Sequence, residues 1–183
     1  MDGHVLSGVA PFSMIVTNAG ERAADSIEAG ESVITLARAG FGTVARILDV
    51  TVDLRQRPDA AAVLVAKDAL HDGSPLRPLV VGPEALIGLD DWLVPAAALV
   101  NGRSITRMPA DGSVRYVQYV QVELGEHEMV ICDGVRVGTV LRGGDTCRPL
   151  LRGGPVLEAL RGRIRGRISG LEEAGLIHRS AGG

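Results

Sequence analysis

The sequence predicts a mostly β domain followed by one C-terminal helix, and three observations carry this prediction. Short apolar runs rich in β-branched residues recur between residues 13 and 132. Turn signals such as Asp72-Gly73-Ser74-Pro75, Asn101-Gly102 and Asp133-Gly134 separate many of these runs. Apolar residues take a helical spacing only after Pro155.

Nine runs are predicted to be strands, because each is apolar and short and the longer ones alternate apolar and polar residues. They are Ser13–Thr17, Ser32–Leu36, Thr43–Leu54, Ala62–Ala66, Leu79–Val81, Leu86–Leu89, Trp92–Val94, Val114–Leu124 and Met129–Cys132. Between the predicted strand Trp92–Val94 and the Asn101-Gly102 turn, Ala96–Val100 is predicted to form one short helical turn. Strands of this length and spacing indicate a compact β domain that ends near Leu141.

Residues 142–154 are rich in Gly, Arg and Pro and are predicted to connect the β domain to a helix over residues 155–178. The helix has a single apolar stripe, formed by Leu157, Leu160, Ile164, Ile168 and Leu171. Four arginines flank the stripe. The favoured interpretation is a helix that docks on its own domain. A protein partner's groove and an anionic membrane surface are the alternatives.

The composition is that of a soluble globular protein, with 46% hydrophobic and 22% charged residues in a chain of 183. No run is long and apolar enough for a membrane-spanning helix, and the first residues do not resemble a signal peptide. The net charge of −3 combines an acidic body with a basic tail. The body's charge and the lack of aromatic residues in the basic tail argue against nucleic-acid binding.

Local motifs predict neither a cofactor nor a metal site. The segment Gly40–Ala45 matches G-x-G-x-x-A, but strand-like alternation follows it where a phosphate-binding loop requires a helix, so a hairpin turn is expected. His127-Glu128 begins like a zinc-protease motif, yet Ile131 stands where the second His belongs. Cys132 lies five residues from His127, which places the two side chains on opposite faces of a strand and indicates a buried thiol.

Four segments, in their order along the chain, resemble a known family. They are MIVTNAGERAADSIEAGESVITL, TVDLRQRP, LHDGSPLRPLVVGPEALIGLDDWLVPAAALVNGRSI and YVQVELGEHEMVICDG. Together they resemble the bacterial intein-like group of Hint (hedgehog/intein) domains over residues 8–141. The resemblance implies a Hint-type β horseshoe with two pseudo-symmetric halves. It also implies a domain that cleaves its own chain, beginning with attack by a Cys or Ser on the preceding peptide carbonyl.

The residues that carry this chemistry in the family are replaced here. Gly8 stands at the nucleophile position, and Gly82 and Ala85 stand where a hydroxyl residue and a His bind and polarise the scissile peptide. Gln121 replaces a family His, as does Gln56, whereas His127 matches one. A deliberate replacement of the nucleophile alone would explain Gly8 but not the other replacements.

The resemblance therefore predicts a degenerate Hint domain that lacks self-cleavage and acts as a binding or structural module, with a protein partner at the C-terminal helix as one option. The alternative is residual self-processing, in which the Ser7 hydroxyl attacks the Leu6 carbonyl in an N-to-O acyl shift. Ser7 and His127 are the candidate catalytic residues of that alternative.

Overall fold

A computed structural model describes residues 6–38, 40–109, 111–140 and 143–178, and it places them in twelve strands and two α-helices. The strands are β1 (Met14–Thr17), β2 (Gly20–Ala23), β3 (Ser32–Ile34), β4 (Phe41–Asp53), β5 (Val63–Val65), β6 (Leu79–Val81), β7 (Leu86–Leu89), β8 (Trp92–Pro95), β9 (Ile105–Arg107), β10 (Tyr116–Leu124), β11 (Met129–Cys132) and β12 (Val135–Gly138). The helices are α1 (Pro155–Arg165) and α2 (Ile168–Glu173). The predicted mostly β domain followed by C-terminal helical structure is confirmed.

The strands form two sheets. The larger has nine strands in the order β10-β4-β3-β1-β11-β12-β7-β8, with β2 paired to β1, and the smaller has the order β6-β5-β9. The long strands β4 and β10 are antiparallel, with Tyr116 opposite Asp53 and Gln121 opposite Leu48. Because β10 ends the larger sheet, its second edge is free to meet other parts of the chain.

The hairpin prediction for the Gly40–Ala45 segment is confirmed. β3 and β4 pair antiparallel, with Ser32 opposite Thr43, and Gly40 lies in the turn between them with a φ of 78°. This left-handed conformation suits glycine because it has no Cβ. A strand follows Gly42 directly, so the segment has no helix N-terminus at which a phosphate could bind.

Three strands lie outside the predicted set. β2 lies off the main path of the sheet, and it has two exposed and two half-buried residues. β9 has three residues and β12 has four. Each is too short or too polar to give a periodic signal, and each pairs with a neighbouring strand of the same length: β2 with β1, β9 with β5, and β12 with β11. The predicted helical turn after β8 is present as a 3-10 helix over Ala96–Leu99.

The C-terminal region packs against its own β domain. Leu157, Leu160, Ile164 and Leu171 are buried and belong to the main hydrophobic core. Arg163 binds the Asp90 carboxylate with both terminal nitrogens at 3.0 Å, so the Asp90-Asp91 turn serves as an anchor for the helix. The favoured interpretation of the apolar stripe is confirmed, because the domain itself already covers it.

The region predicted to be one helix over residues 155–178 holds two. α1 ends at Arg165 and α2 begins at Ile168, and between them Arg167 donates from Nε to the Asp68 carbonyl at 2.9 Å. Gly166, which carries no side chain, lies at the junction, where a helix is locally weak. Arg167 thus fastens the junction between the two helices to the loop after β5.

The segment expected to be a connector also contacts the β domain. The Leu93 amide donates to the Pro149 carbonyl at 2.9 Å, and the Leu151 amide donates to the Leu93 carbonyl at 2.8 Å. These bonds place a short parallel bridge along β8. Residues 141 and 142, where the predicted boundary lies, fall outside the described residues.

Candidate functional site

The N-terminal segment of residues 6–10 runs between the two sheets and joins them. Val9 exchanges two backbone hydrogen bonds with Val120 of β10, at 3.0 and 2.8 Å. It also bridges Val81 of β6, and the Ala10 amide donates to the Val80 carbonyl at 2.9 Å. The segment is therefore inserted as a strand, and it brings Ser7 and Gly8 to the turn that follows β6.

Gly8 adopts a conformation that only glycine takes readily. Its φ is 105°, and a Cβ placed there would lie 2.7 Å from the Val120 carbonyl oxygen and 3.0 Å from Cγ of Gln121. The first distance is shorter than real Cβ contacts, and the obstacle is backbone, which cannot rotate away. A side chain at position 8 therefore requires the N-terminal strand to move.

Gly82 is packed even more closely against the same segment. A Cβ at this position would lie 2.4 Å from the Leu6 carbonyl oxygen and 2.8 Å from its carbon. The Leu6 carbonyl occupies the space in which a hydroxyl residue would begin. The two glycines thus let the N-terminal strand lie closer to the turn than side chains would permit.

Both peptide carbonyls next to Ser7 accept hydrogen bonds. The Glu84 amide donates to the Leu6 oxygen at 2.8 Å, and Nε2 of Gln121 donates to the Ser7 oxygen at 3.1 Å. The same Nε2 lies 3.3 Å from the Ser7 hydroxyl. Donors at these oxygens would polarise either carbonyl toward attack. At the Ser7 carbonyl the attacking side chain would belong to residue 8, which is glycine.

Ala85 is 2% exposed and belongs to the main hydrophobic core. Its backbone is fixed on both sides, because its amide donates to the Gly82 carbonyl at 3.0 Å and its carbonyl accepts from Ala96 at 2.9 Å. The backbone of the Gly82–Ala85 turn is therefore held against both the N-terminal strand and the 3-10 helix that follows β8.

A cavity of about 20 Å³ lies beside the inserted strand. Ser7, Gly8, Gln121, Gly138 and Thr139 are among the residues that line it. This volume is enough for one water molecule, and the polar groups on its wall suit one. It is too small to hold a cofactor.

His127 lies in the turn before β11, and its hydrogen-bond partner is not Ser7. Its Nδ1 accepts from the Cys147 backbone amide at 3.2 Å, whereas its buried Nε2 has no partner among the described residues. Nε2 faces Gly138, where an added Cβ would lie 3.2 Å away. Burial, with a smaller effect of the positive charge of Arg38, lowers the pKa of His127, so the ring is neutral at pH 7.

The structure thus brings some of the sequence-predicted residues together and separates others. Ser7 and Gly8 lie in the inserted strand and are hydrogen-bonded by Gln121 and Gly82, whereas Gln56 is exposed in the turn after β4. The sequence interpretation named the Leu6 carbonyl as the group that Ser7 would attack. It missed the contact of this carbonyl with Gly82 and its hydrogen bond from the Glu84 amide, because backbone contacts leave no trace in a motif. It also missed the contact between His127 and Cys147, since twenty residues separate the two.

The two cysteines are free and buried. Cys132 is wholly inaccessible and burial raises the pKa of its thiol, which confirms the interpretation of a buried small hydrophobe. Within the described ranges, no three or more His, Cys, Asp or Glu side chains are grouped so that they could hold a metal ion. Among the same residues no helix is long and apolar enough to cross a membrane.

Comparison with known proteins gives three results. A family model described as a Hint domain matches residues 9–144. The fold is similar to the solution structure of a bacterial intein-like domain from Clostridium thermocellum, with a TM-score of 0.53 and 17% identity over 73% of this chain and 98% of that one. It is also similar to the crystal structure of the MchDnaB-1 intein, with a TM-score of 0.50 and 12% identity over 73% of this chain and 100% of that one.

No curated protein matches the chain in sequence. The structural likenesses, at these identities, concern the fold. The family model, by contrast, spans most of the chain and includes the Gly82–Ala85 turn, Gln121 and His127. The chain belongs to the Hint domain family.

Proposed function

We propose that this Hint domain no longer cleaves its own chain and acts as a non-catalytic binding or structural module. The observation that carries the proposal is the packing at Gly8 and Gly82. Position 8 has no nucleophile and no room for one, and the Leu6 carbonyl fills the space beside Gly82. Acyl transfer requires an attacking side chain with a base to accept its proton, and neither is supplied at this position.

The remaining polar groups support a structural role for the site. Gln121 is 2% exposed and uses its amide to hold the Ser7 carbonyl, which a neutral amide can do without exchanging protons. The Glu84 and Gly82 amides hold the Leu6 and Gly8 carbonyls at 2.8 and 2.9 Å. These bonds fasten the N-terminal strand between the two sheets, as a closed structural element would require.

Residual cleavage at Ser7 is the second candidate, and one observation favours it. The Leu6 carbonyl that Ser7 would attack accepts a 2.8 Å hydrogen bond from the Glu84 amide. In such a step Oγ of Ser7 bonds to the Leu6 carbon, the peptide C–N bond breaks, and the hydroxyl proton passes to the departing amine through a base. His127 does not meet this need as placed, because its Nδ1 accepts from Cys147 and its Nε2 faces Gly138.

Intact-mass spectrometry distinguishes the two. The purified chain is incubated for a day at pH 7 to 8 with dithiothreitol or with hydroxylamine, which cleaves thioesters and esters. We expect an unchanged mass. A fragment that begins at Ser7 or Gly8 and is absent from the matched Ser7→Ala variant would show self-processing and refute the proposal.

The C-terminal helices supply less support for an external partner than their sequence suggests. Their apolar stripe is buried in the domain, and Arg163 and Arg167 are paired with Asp90 and Asp72. A protein partner or a membrane surface at the helices would have to use the outward face, which includes the exposed Arg165. Liposome co-sedimentation tests the membrane: equal binding of the wild type and Arg165→Gln to anionic vesicles would end that alternative.

A further inference from the structure

Within the part of the chain that the structure describes, other segments pair with the outer edge of β10 at Val120 and Val122 only. Even-numbered residues of this strand point their backbone groups away from β4, as shown by the bonds of Val120 to Val9 and of the Val122 carbonyl to the Val140 amide, which is 2.8 Å long. By the same alternation, the amide and carbonyl of Gln118 and Tyr116 face outward. Neither residue has a backbone partner on that edge among the described residues.

Pro11 explains why the N-terminal strand leaves the edge. Val9 lies opposite Val120 in an antiparallel register, so the residue due to face Gln118 is Pro11. Proline has no N–H to donate to a ladder. The chain turns away there, and the Ser13 amide closes the turn on the Ala10 carbonyl at 3.0 Å.

A groove is left where the N-terminal strand departs. It encloses about 530 Å³, and an adjoining hollow of about 260 Å³ extends it along β10. Phe12 and Tyr116 are 67% and 52% exposed at its rim, while Met108 and Tyr119 contribute to its floor. Apolar walls beside an open backbone edge are the features that receive an added β-strand.

The charges in the groove are acidic. Asp25 lines both hollows and Asp49 lines the second; both are exposed, and neither forms an ion pair within the described parts of the chain. Among the described residues, no Lys or Arg lines either hollow. Arg115 stacks on the Tyr116 ring at 4.8 Å, and its charge is paired with Asp53. An occupant is therefore favoured if it carries positive charge.

We propose that this groove binds an extended, basic peptide segment of a partner protein, which adds as a strand to β10 at Gln118 and Tyr116. The proposal deepens the proposed function, since it gives the binding module a binding site. Backbone hydrogen bonds to Gln118 would supply affinity, the apolar walls would take alternate side chains, and Asp25 and Asp49 would select arginine or lysine. Its failure would leave the mass-spectrometric result untouched, so the two proposals fail separately.

A peptide titration tests the proposal on the full chain. The probe is a fluorescein-labelled hexapeptide of alternating valine and arginine, and its control is the same peptide with N-methylated backbone amides. We expect the probe to bind, with the control at least about tenfold weaker because it cannot donate to β10. In ¹⁵N–¹H spectra the probe should shift the amides of Tyr116 and Gln118. Absence of binding at 1 mM probe, or equal binding of both peptides, would overturn the proposal.

The acidic residues are tested by charge removal. Asp25→Asn combined with Asp49→Asn should weaken the probe by about three- to tenfold and reduce the salt dependence of binding. Asp91→Asn, an exposed aspartate elsewhere, is the matched control and should have no effect. An equal effect of both changes would refute the charge argument. Analytical ultracentrifugation tests whether the domain dimerises. A dimer formed through β10 would mean that a second copy of the chain, rather than a partner's peptide, occupies the groove, and it would overturn the proposal.

Discussion

A methyl group at Gly82 would displace the N-terminal strand from its position against the turn after β6. In Gly82→Ala the new Cβ would lie 2.4 Å from the Leu6 oxygen, and backbone on both sides prevents a small adjustment. The bonds most directly affected run from the Glu84 amide to Leu6 and from the Gly82 amide to Gly8, at 2.8 and 2.9 Å. At about 0.5–1.5 kcal/mol each, their loss predicts a decrease of about 1–3 kcal/mol in the free energy of unfolding.

Urea denaturation and amide hydrogen exchange measure the two parts of this prediction. The denaturation midpoint should fall, and the Val9 and Val120 amides should lose protection because the displaced strand no longer pairs with β10. Gly125→Ala is the matched control: its Cβ would meet nothing within 4 Å, and its stability should stay within about 0.5 kcal/mol of the wild type. Unchanged stability and unchanged protection in Gly82→Ala would refute the argument that the Leu6 carbonyl fills this site.

The remaining predictions concern the tail, the buried histidine and the open edge. Leu160→Ala should lower the free energy of unfolding, measured by urea denaturation, by about 2–5 kcal/mol, because Leu160 is 4% exposed in the main core. A loss below about 1 kcal/mol would mean that the C-terminal helices are not part of that core. The lowered pKa of His127 makes stability depend on pH, because the unfolded chain protonates this imidazole near pH 6.5 and the folded chain does so only at lower pH. The free energy of unfolding is therefore highest above pH 6.5 and falls below it, by at most about 1.4 kcal/mol per pH unit. Urea midpoints between pH 7.5 and 5.5 should show this fall, and His127→Gln should remove it; an equal fall in the variant would assign it to other groups. Finally, the Gln118 amide should exchange with solvent much faster than the Val120 amide, although both are central in β10; similar protection would mean that the edge is covered.

Most of the strands could be predicted from the sequence because their signal is local. Alternation over Thr43–Leu54 and Val114–Leu124 predicted β4 and β10, which the structure pairs along nearly their whole length. The C-terminal stripe predicted a helix that covers its own core. Its division at Gly166 was missed, since the apolar spacing continues through the glycine while Arg167 is held by a loop that is distant in sequence.

The candidate site was predictable as a set of replaced residues and unpredictable as an arrangement. The resemblance predicted replacements at Gly8, Gly82 and Gln121, and the structure places these three residues close together along the N-terminal strand. The pattern gave no indication that the Leu6 carbonyl would lie against Gly82, or that His127 would accept a hydrogen bond from Cys147. Those contacts depend on how the N-terminal strand and the tail pack, which no local spacing encodes.

The sequence by itself determined a mostly β domain that resembles the Hint family, with glycine at positions 8 and 82. Strand periodicity and motif order are properties of neighbouring residues, so they can be read along the chain. Only the tertiary structure decided that the space at Gly82 is filled by the chain's own backbone, and that Pro11 comes opposite Gln118, whose outward backbone groups have no backbone partner within the described part of the chain. Both facts concern residues more than 70 positions apart, and they arise from the balance of packing and hydrogen bonding across two sheets.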